Sequence, residues 1–322
     1  MRRPLALLAL AVLALAPAAA SARTAEHVAT IPNPSAVREF AGIVAWTQRD
    51  ADGFHLIVRR PGAAPARPSA SPFVFDLGSD TRGRPQVVYE RDGDLYAWSL
   101  THTTGERPIR NATTFDHRET TPTLWRGRLA FTRITPGGRP VVSTKTMTAP
   151  RARPSRRLPG VPVRGGSTSQ RVVEALELHG RHLAQVVRYV EPEQVGFSET
   201  ELRLVDLRGG VRAVARMSSG EGGQRFVGPS FTPGRLWWAT SCLGDPSGCR
   251  FGAHRARTVD LAVERTADGR GLDGFAAAPA ASAGGDAAWV VDAEGSDEAG
   301  DDLPGRGFAV EQRTLAGWAP RR

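Results

Sequence analysis

The densest set of potential ligands in this chain is a run of carboxylates. Asp292, Glu294, Asp297, Glu298, Asp301 and Asp302 fall within residues 292–306, and Glu191, Glu193 and Glu199 fall within 190–199. Carboxylates at that density suit Ca²⁺, which takes six to eight oxygens, or a basic protein partner. A solvated acidic loop has the same composition. The spacing is not that of an EF-hand, since no Glu closes the twelfth position, and the metal stays unassigned. His179 and His182 stand three apart, but on a strand-turn-strand that spacing does not hold two rings on one face, and no third ligand is near. No Gly-x-Ser-x-Gly elbow occurs, so no hydrolase nucleophile turn is visible. Cys242 and Cys249 are the only cysteines and flank a Gly-Asp-Pro-Ser-Gly turn. In an exported chain that spacing predicts a disulfide clamping the loop.

Groups this scattered act together only if the fold converges them, and the fold is written in a repeat. Strands ending in a bulky or polar residue recur as "GIVAW" at Trp46, "PQVVY" at Tyr89, "GRLAF" at Phe131, "RHLAQ" at Gln185, "GRLWW" at Trp238 and "GDAAW" at Trp289. The intervals are 43, 42, 54, 53 and 51 residues. A turn and a second alternating strand follow each: "FHLIVRR" (54–60), "DLYAWSL" (94–100), "RPVVSTKTM" (139–147), "TELRLVDL" (200–207), "ARTVDLAVE" (256–264) and "GFAVEQRTL" (307–315). Nothing of comparable length shows a 3.6-residue period. A short piece such as "TPTLWRG" or "GPSFTPG" precedes the aligned strand, and an outer strand such as "GVRAVAR" (210–216) follows in some units. Each unit therefore reads as a four-stranded antiparallel meander. The expectation is an all-β, six-bladed β-propeller, because such sheets bury both faces only when packed radially. The opening "EHVATIP" is either the strand that completes the last blade or a segment outside the ring.

A propeller supplies two places for chemistry. Residues just ahead of the innermost strands converge on the channel mouth, and the alignment puts Asp80, Glu119, Glu174 and Arg225 there. Propeller enzymes build metal-centred hydrolase or lyase sites from such carboxylates, whereas other propellers fill the position with solvated polar groups. The second place is the rim. Connections from second to third strands are short in the first three units, such as "RDADG" (49–53), and long in the last three, at 190–199, 241–253 and 292–306. Long connections are where binding is placed, which makes Glu191, Glu193, Asp292, Glu294, Asp297, Asp301 and Asp302 the rim candidates.

The units "TPTLWRGRLAFTR" and "GPSFTPGRLWWAT" resemble the P-x-x-x-x-G-x-x-aromatic repeat of TolB-like and WD40-like six-bladed propellers. The stretch from "GIVAWTQRDADGFHLIVR" through "PFVFDLGSDTRGRPQVVYERDGDLYAWSL" is similar to exported actinobacterial propeller proteins of unassigned activity. The Ser-Pro-Asp-Gly turn usual in TolB repeats has no copy here, so the resemblance implies the fold and not TolB's role.

The chain opens with Arg2 and Arg3, an apolar run from Leu5 to Leu15 and small residues to Ala22, the pattern of a secretory signal spanning residues 1–22. No later stretch is apolar for the roughly 18 residues a spanning helix needs. One propeller domain over 23–322, exported and not inserted in a membrane, is the expected product. The formal net charge is +9, and of 42 basic residues only Lys145 is not arginine. The arginines are spread through every segment. The one cluster, at 149–164, is Pro-rich, lacks aromatics for base stacking and reads as a stiff linker, so nucleic acid is not an expected partner. The expected function is recognition or scaffolding by a monomer that binds a protein or glycan through its loop rim, without catalysis or cofactor. The alternative is a hydrolase or lyase with Ca²⁺ at the channel mouth, acting on an extracellular glycan, lactone or ester.

Overall fold

The computed structural model describes residues 26–31, 37–50, 53–70, 74–101, 105–109, 117–147, 155–159, 170–190, 198–219, 224–242, 252–264, 277–281, 286–292 and 308–314. Every regular element among them is a strand. After β1 (Glu26–Ile31) come β2 (Val37–Phe40), β3 (Ile43–Asp50), β4 (Gly53–Arg59) and β5 (Ala66–Ala70), which pair in that order. The same order joins β6 (Phe75–Ser79), β7 (Pro85–Arg91), β8 (Asp94–Ser99) and β9 (Arg107–Pro108), and then β10 (Arg118–Trp125), β11 (Arg128–Ile134), β12 (Pro140–Thr146) and β13 (Arg156–Arg157). It recurs in β14 (Gln170–His179), β15 (His182–Val190), β16 (Ser198–Asp206) and β17 (Val211–Ser219), and in β18 (Gln224–Thr232), β19 (Arg235–Cys242), β20 (Gly252–Arg257) and β21 (Val263–Glu264). Five blades are thus contiguous in sequence, where the repeat predicts six. The remaining sheet is composite: β22 (Ala277–Ala281), β23 (Asp286–Asp292) and β24 (Phe308–Thr314) take β1 as their outermost strand.

The first strands of neighbouring sheets touch around a closed circuit, β2 to β6, β10, β14, β18, β22 and back to β2. All the repeat residues lie on second strands, Trp46 on β3, Tyr89 on β7, Phe131 on β11, Gln185 on β15, Trp238 on β19 and Trp289 on β23. In the five contiguous blades the middles of these strands are buried on both faces, which is why they read as near-continuous apolar runs. Val87 and Tyr89 pack with Ala45, Leu56 and Val58 of the preceding blade. Val88, one residue out of phase, packs with Leu129 and Phe131 of the next. Ala130 then faces Leu178 and Leu183, and Ala184 faces Leu236 and Trp238. Gln185, the polar outlier of the repeat, is fully buried and pairs across the ladder with Arg203, which donates to its Oε1 at 3.5 Å.

Two readings are corrected. The Arg-rich 149–164 segment is not merely a linker, for Arg156–Arg157 add the fourth strand to their sheet and the amide of Leu158 donates to Val142 O at 2.9 Å. The alternating 256–264 stretch is not one strand. It breaks at a turn where Asp260 Oδ1 accepts the Ala262 amide at 3.0 Å and Leu261 takes a positive φ of 61°.

Candidate functional site

In the five contiguous blades the residues opposite the second-strand position just before the repeat residue are Arg38, Asp76, Thr123, Glu177 and Ser230, paired with Ala45, Val88, Ala130, Ala184 and Trp237. They occupy one level of successive first strands. Arg38 Nε lies 3.4 Å from Asp76 Oδ1. Asp76 Oδ2 accepts the Leu124 amide at 2.7 Å, and the amide of Leu178 donates to Thr123 Oγ1 at 3.0 Å. The Thr123 side chain also favours the charged form of the Asp76 carboxyl. A relay of backbone, hydroxyl, carboxylate and guanidinium therefore ties β14 to β10, β6 and β2.

Burial pushes the Asp76 carboxyl above the usual range, with Arg38, the Leu124 amide, Thr123 and the Leu77 amide pulling it back. Glu177 is held well above its ordinary value by burial and then by the charge of Asp76, against the relief of Arg38. Its residue is half-buried, yet Oε2 is sealed from solvent and has no hydrogen-bond partner among the described residues. One guanidinium thus stands against two carboxyls, a set that a single proton on Glu177 makes neutral. Two carboxyls with raised pKa at one level of the ring are the kind of group from which acid-base sites are made.

The residues expected at the channel mouth do not form one cluster. Asp80 follows β6 instead of preceding it, because that first strand is Phe75–Ser79. It lies at the opposite end of the blades, where its Oδ1 accepts the amides of Arg82 at 2.8 Å and Arg84 at 2.9 Å and its Oδ2 takes Arg84 Nε at 2.7 Å. Burial raises its carboxyl, but those bonds outweigh it and hold it below the usual range. Glu119, Glu174 and Arg225 do lie near the starts of β10, β14 and β18. Glu119 is fully buried and takes Arg133 Nε at 2.8 Å, and Glu174 meets Arg188 Nε at 2.6 Å. Each acid is engaged by the second strand of its own blade. No group of three acid, Cys or His side chains fit to hold a metal occurs among the described residues.

The rim residues Glu191, Glu193, Glu294, Asp297, Asp301 and Asp302 lie outside the described residues, as do Cys249 and the 1–22 segment. Asp292 ends β23 opposite Phe308, and Cys242 ends β19 opposite Gln224. Register puts their connections on one face: Val190 ends β15 beside Gln170, where β14 begins, and pairs with Ser198, where β16 begins.

No family model matches the chain, and no curated protein matches it. Solved structures do. Puromycin hydrolase is 19% identical with a TM-score of 0.51, over 80% of this chain and 43% of its own. A luciferin-regenerating enzyme is 10% identical with a TM-score of 0.51, over 91% of this chain and 95% of its own. TolB from Acinetobacter baumannii is 14% identical with a TM-score of 0.45, over 70% of this chain and 52% of its own. The chain is a β-propeller of four-stranded antiparallel blades. It spans less than half the length of puromycin hydrolase, and identities this low carry the fold alone.

Proposed function

We propose that this propeller is an exported recognition or scaffold module, a monomer that binds a protein or glycan through one rim and leaves it chemically unchanged. The observation that carries this is the asymmetry of the connections. Between second and third strands, residues 51–52, 92–93 and 135–139 join the first three blades, whereas 191–197, 243–251 and 293–307 join the other three sheets. These three sheets are neighbours in the circuit, so the strand ends that the long connections join lie on adjacent sheets. Two of them carry the rim carboxylates Glu191, Glu193, Glu294, Asp297, Asp301 and Asp302, and the third holds Cys249, read as disulfide-bonded to Cys242 at its start and stiffening it. The ring itself is read as six blades, with β1 as the clasp of the last.

The test uses the mature protein on a glycan array, with mass spectrometry of whatever is released. Recovery of the ligand at unchanged mass, with binding lost in the D297K/D301K/D302K variant, supports recognition. A released product of altered mass overturns it. That second outcome belongs to the enzyme reading, a hydrolase or lyase, which one observation favours: the carboxyls of Asp76 and Glu177 stand at one level of the first strands, both with raised pKa. Its catalysis then disappears in D76N and E177Q.

A further inference from the structure

The face opposite the long connections carries a different feature. Where the turns after β10 and β14 meet the turn after β16, a cleft of about 620 Å³ opens between two blades. Arg126, Arg128, Arg156, Arg181, Arg208 and Lys145 line it, and no acidic residue does. Of the other described arginines, Arg38, Arg84, Arg91, Arg118, Arg133 and Arg188 sit on carboxylates. In the cleft only Arg181 has one, Asp206 at 3.3 Å. Arg126, Arg128, Arg156 and Arg208 have no ion pair among the described residues. Arg128 Nη1 donates to Gly180 O at 3.4 Å, and Arg126 stands over the Trp125 ring at 5.4 Å.

Lys145 supplies a second observation. The only lysine of the chain is 9% exposed in the cleft wall and has no carboxylate partner among the described residues. Burial, and then the charge of Arg133, lowers its pKa. Lys145 in the wall and four exposed guanidinium groups without ion pairs concentrate positive charge in the cleft, which an anion offsets. Guanidinium forks match the paired oxygens of phosphate and sulfate.

We propose that this cleft is a binding site for a small ligand bearing several phosphate or sulfate groups. Its volume falls in the range of small-molecule sites and exceeds what one inorganic phosphate fills, so at least two charged groups are accommodated. The site is separate from the rim, and its fate does not depend on the reading of the rim.

Calorimetric titration tests it, with inorganic tripolyphosphate for the phosphate source and sucrose octasulfate for the sulfate source. Binding of either probe at micromolar concentration is expected, weakening as salt rises. R128E/R156E should lose affinity at least tenfold, and K145M severalfold. R139E, at an exposed residue of the β11–β12 turn, makes a charge-reversal control outside the cleft and should bind as the parent does. If the cleft variant misfolds by circular dichroism, K145M decides. Absence of heat with both probes overturns the proposal, and so does an equal loss in R139E.

Discussion

At the scale of the residue, Glu177 gives the clearest expectation. Its carboxyl pKa is higher folded than unfolded, so the native state holds a proton that the unfolded chain releases. Stability therefore falls as pH rises from the unfolded value near 4.3 toward the folded one. E177Q keeps the shape and removes the ionisation. Urea midpoints measured from pH 4 to 8 should show the variant near the parent at the acid end and increasingly more stable toward pH 8. A constant gap would mean that Glu177 ionises freely in the native state. Gly78 is constrained by space and not by charge: a Cβ there would lie 2.0 Å from Leu124 O of the next blade. G78A should cost about 3 kcal/mol in denaturant unfolding, since the obstacle is backbone. Neither residue stands out in the sequence. The repeat alignment holds the signal for the axial set, because its members sit opposite the residue before each aromatic, but counting back along the chain instead selects Asp80. That residue serves a turn whose length is set by its own hydrogen bonds.

Elements were more legible than sites. Second strands announce themselves because both their faces are buried, which forces runs such as "RLAF" and "RLWW" whatever the rest of the blade contains. Phe131 is fully buried between two blades, and F131A should lower stability by about 3–5 kcal/mol, read as a shift in denaturant midpoint. Outer strands have one neighbour and few apolar contacts, so pieces such as β13 and β21 leave little pattern. "ARTVDLAVE" alternates like a strand, yet Asp260 takes its side chain to the backbone two residues on, and local capping defeats the alternation. Gln185 departs from its aromatic counterparts for a reason only the third strand supplies, the facing Arg203.

The whole molecule is a circuit of sheets, and its metal state and closure can each be measured. Thermal unfolding of the protein with millimolar Ca²⁺ and with chelator should give the same midpoint if recognition is metal-free; a rise with Ca²⁺ would mean that an ion binds the native state, at the acidic rim or the channel mouth. Removing the chain through Ile31 should leave β24 with an unpaired edge. The truncated protein is expected to unfold at lower denaturant and to run as multimers in size-exclusion chromatography, since bare edges recruit other chains.

The pairing of β1 with β24 also orders events in time. Glu26 meets Gln312 across the ladder, although almost the entire polypeptide is synthesised between them. β1 leaves the ribosome before β24 exists to pair with it, and five contiguous blades lie between them in sequence. Their pairing closes a longer loop than any other described ladder does, and loops of that length close slowly. A chain terminated ahead of β24 carries β1 without its partner.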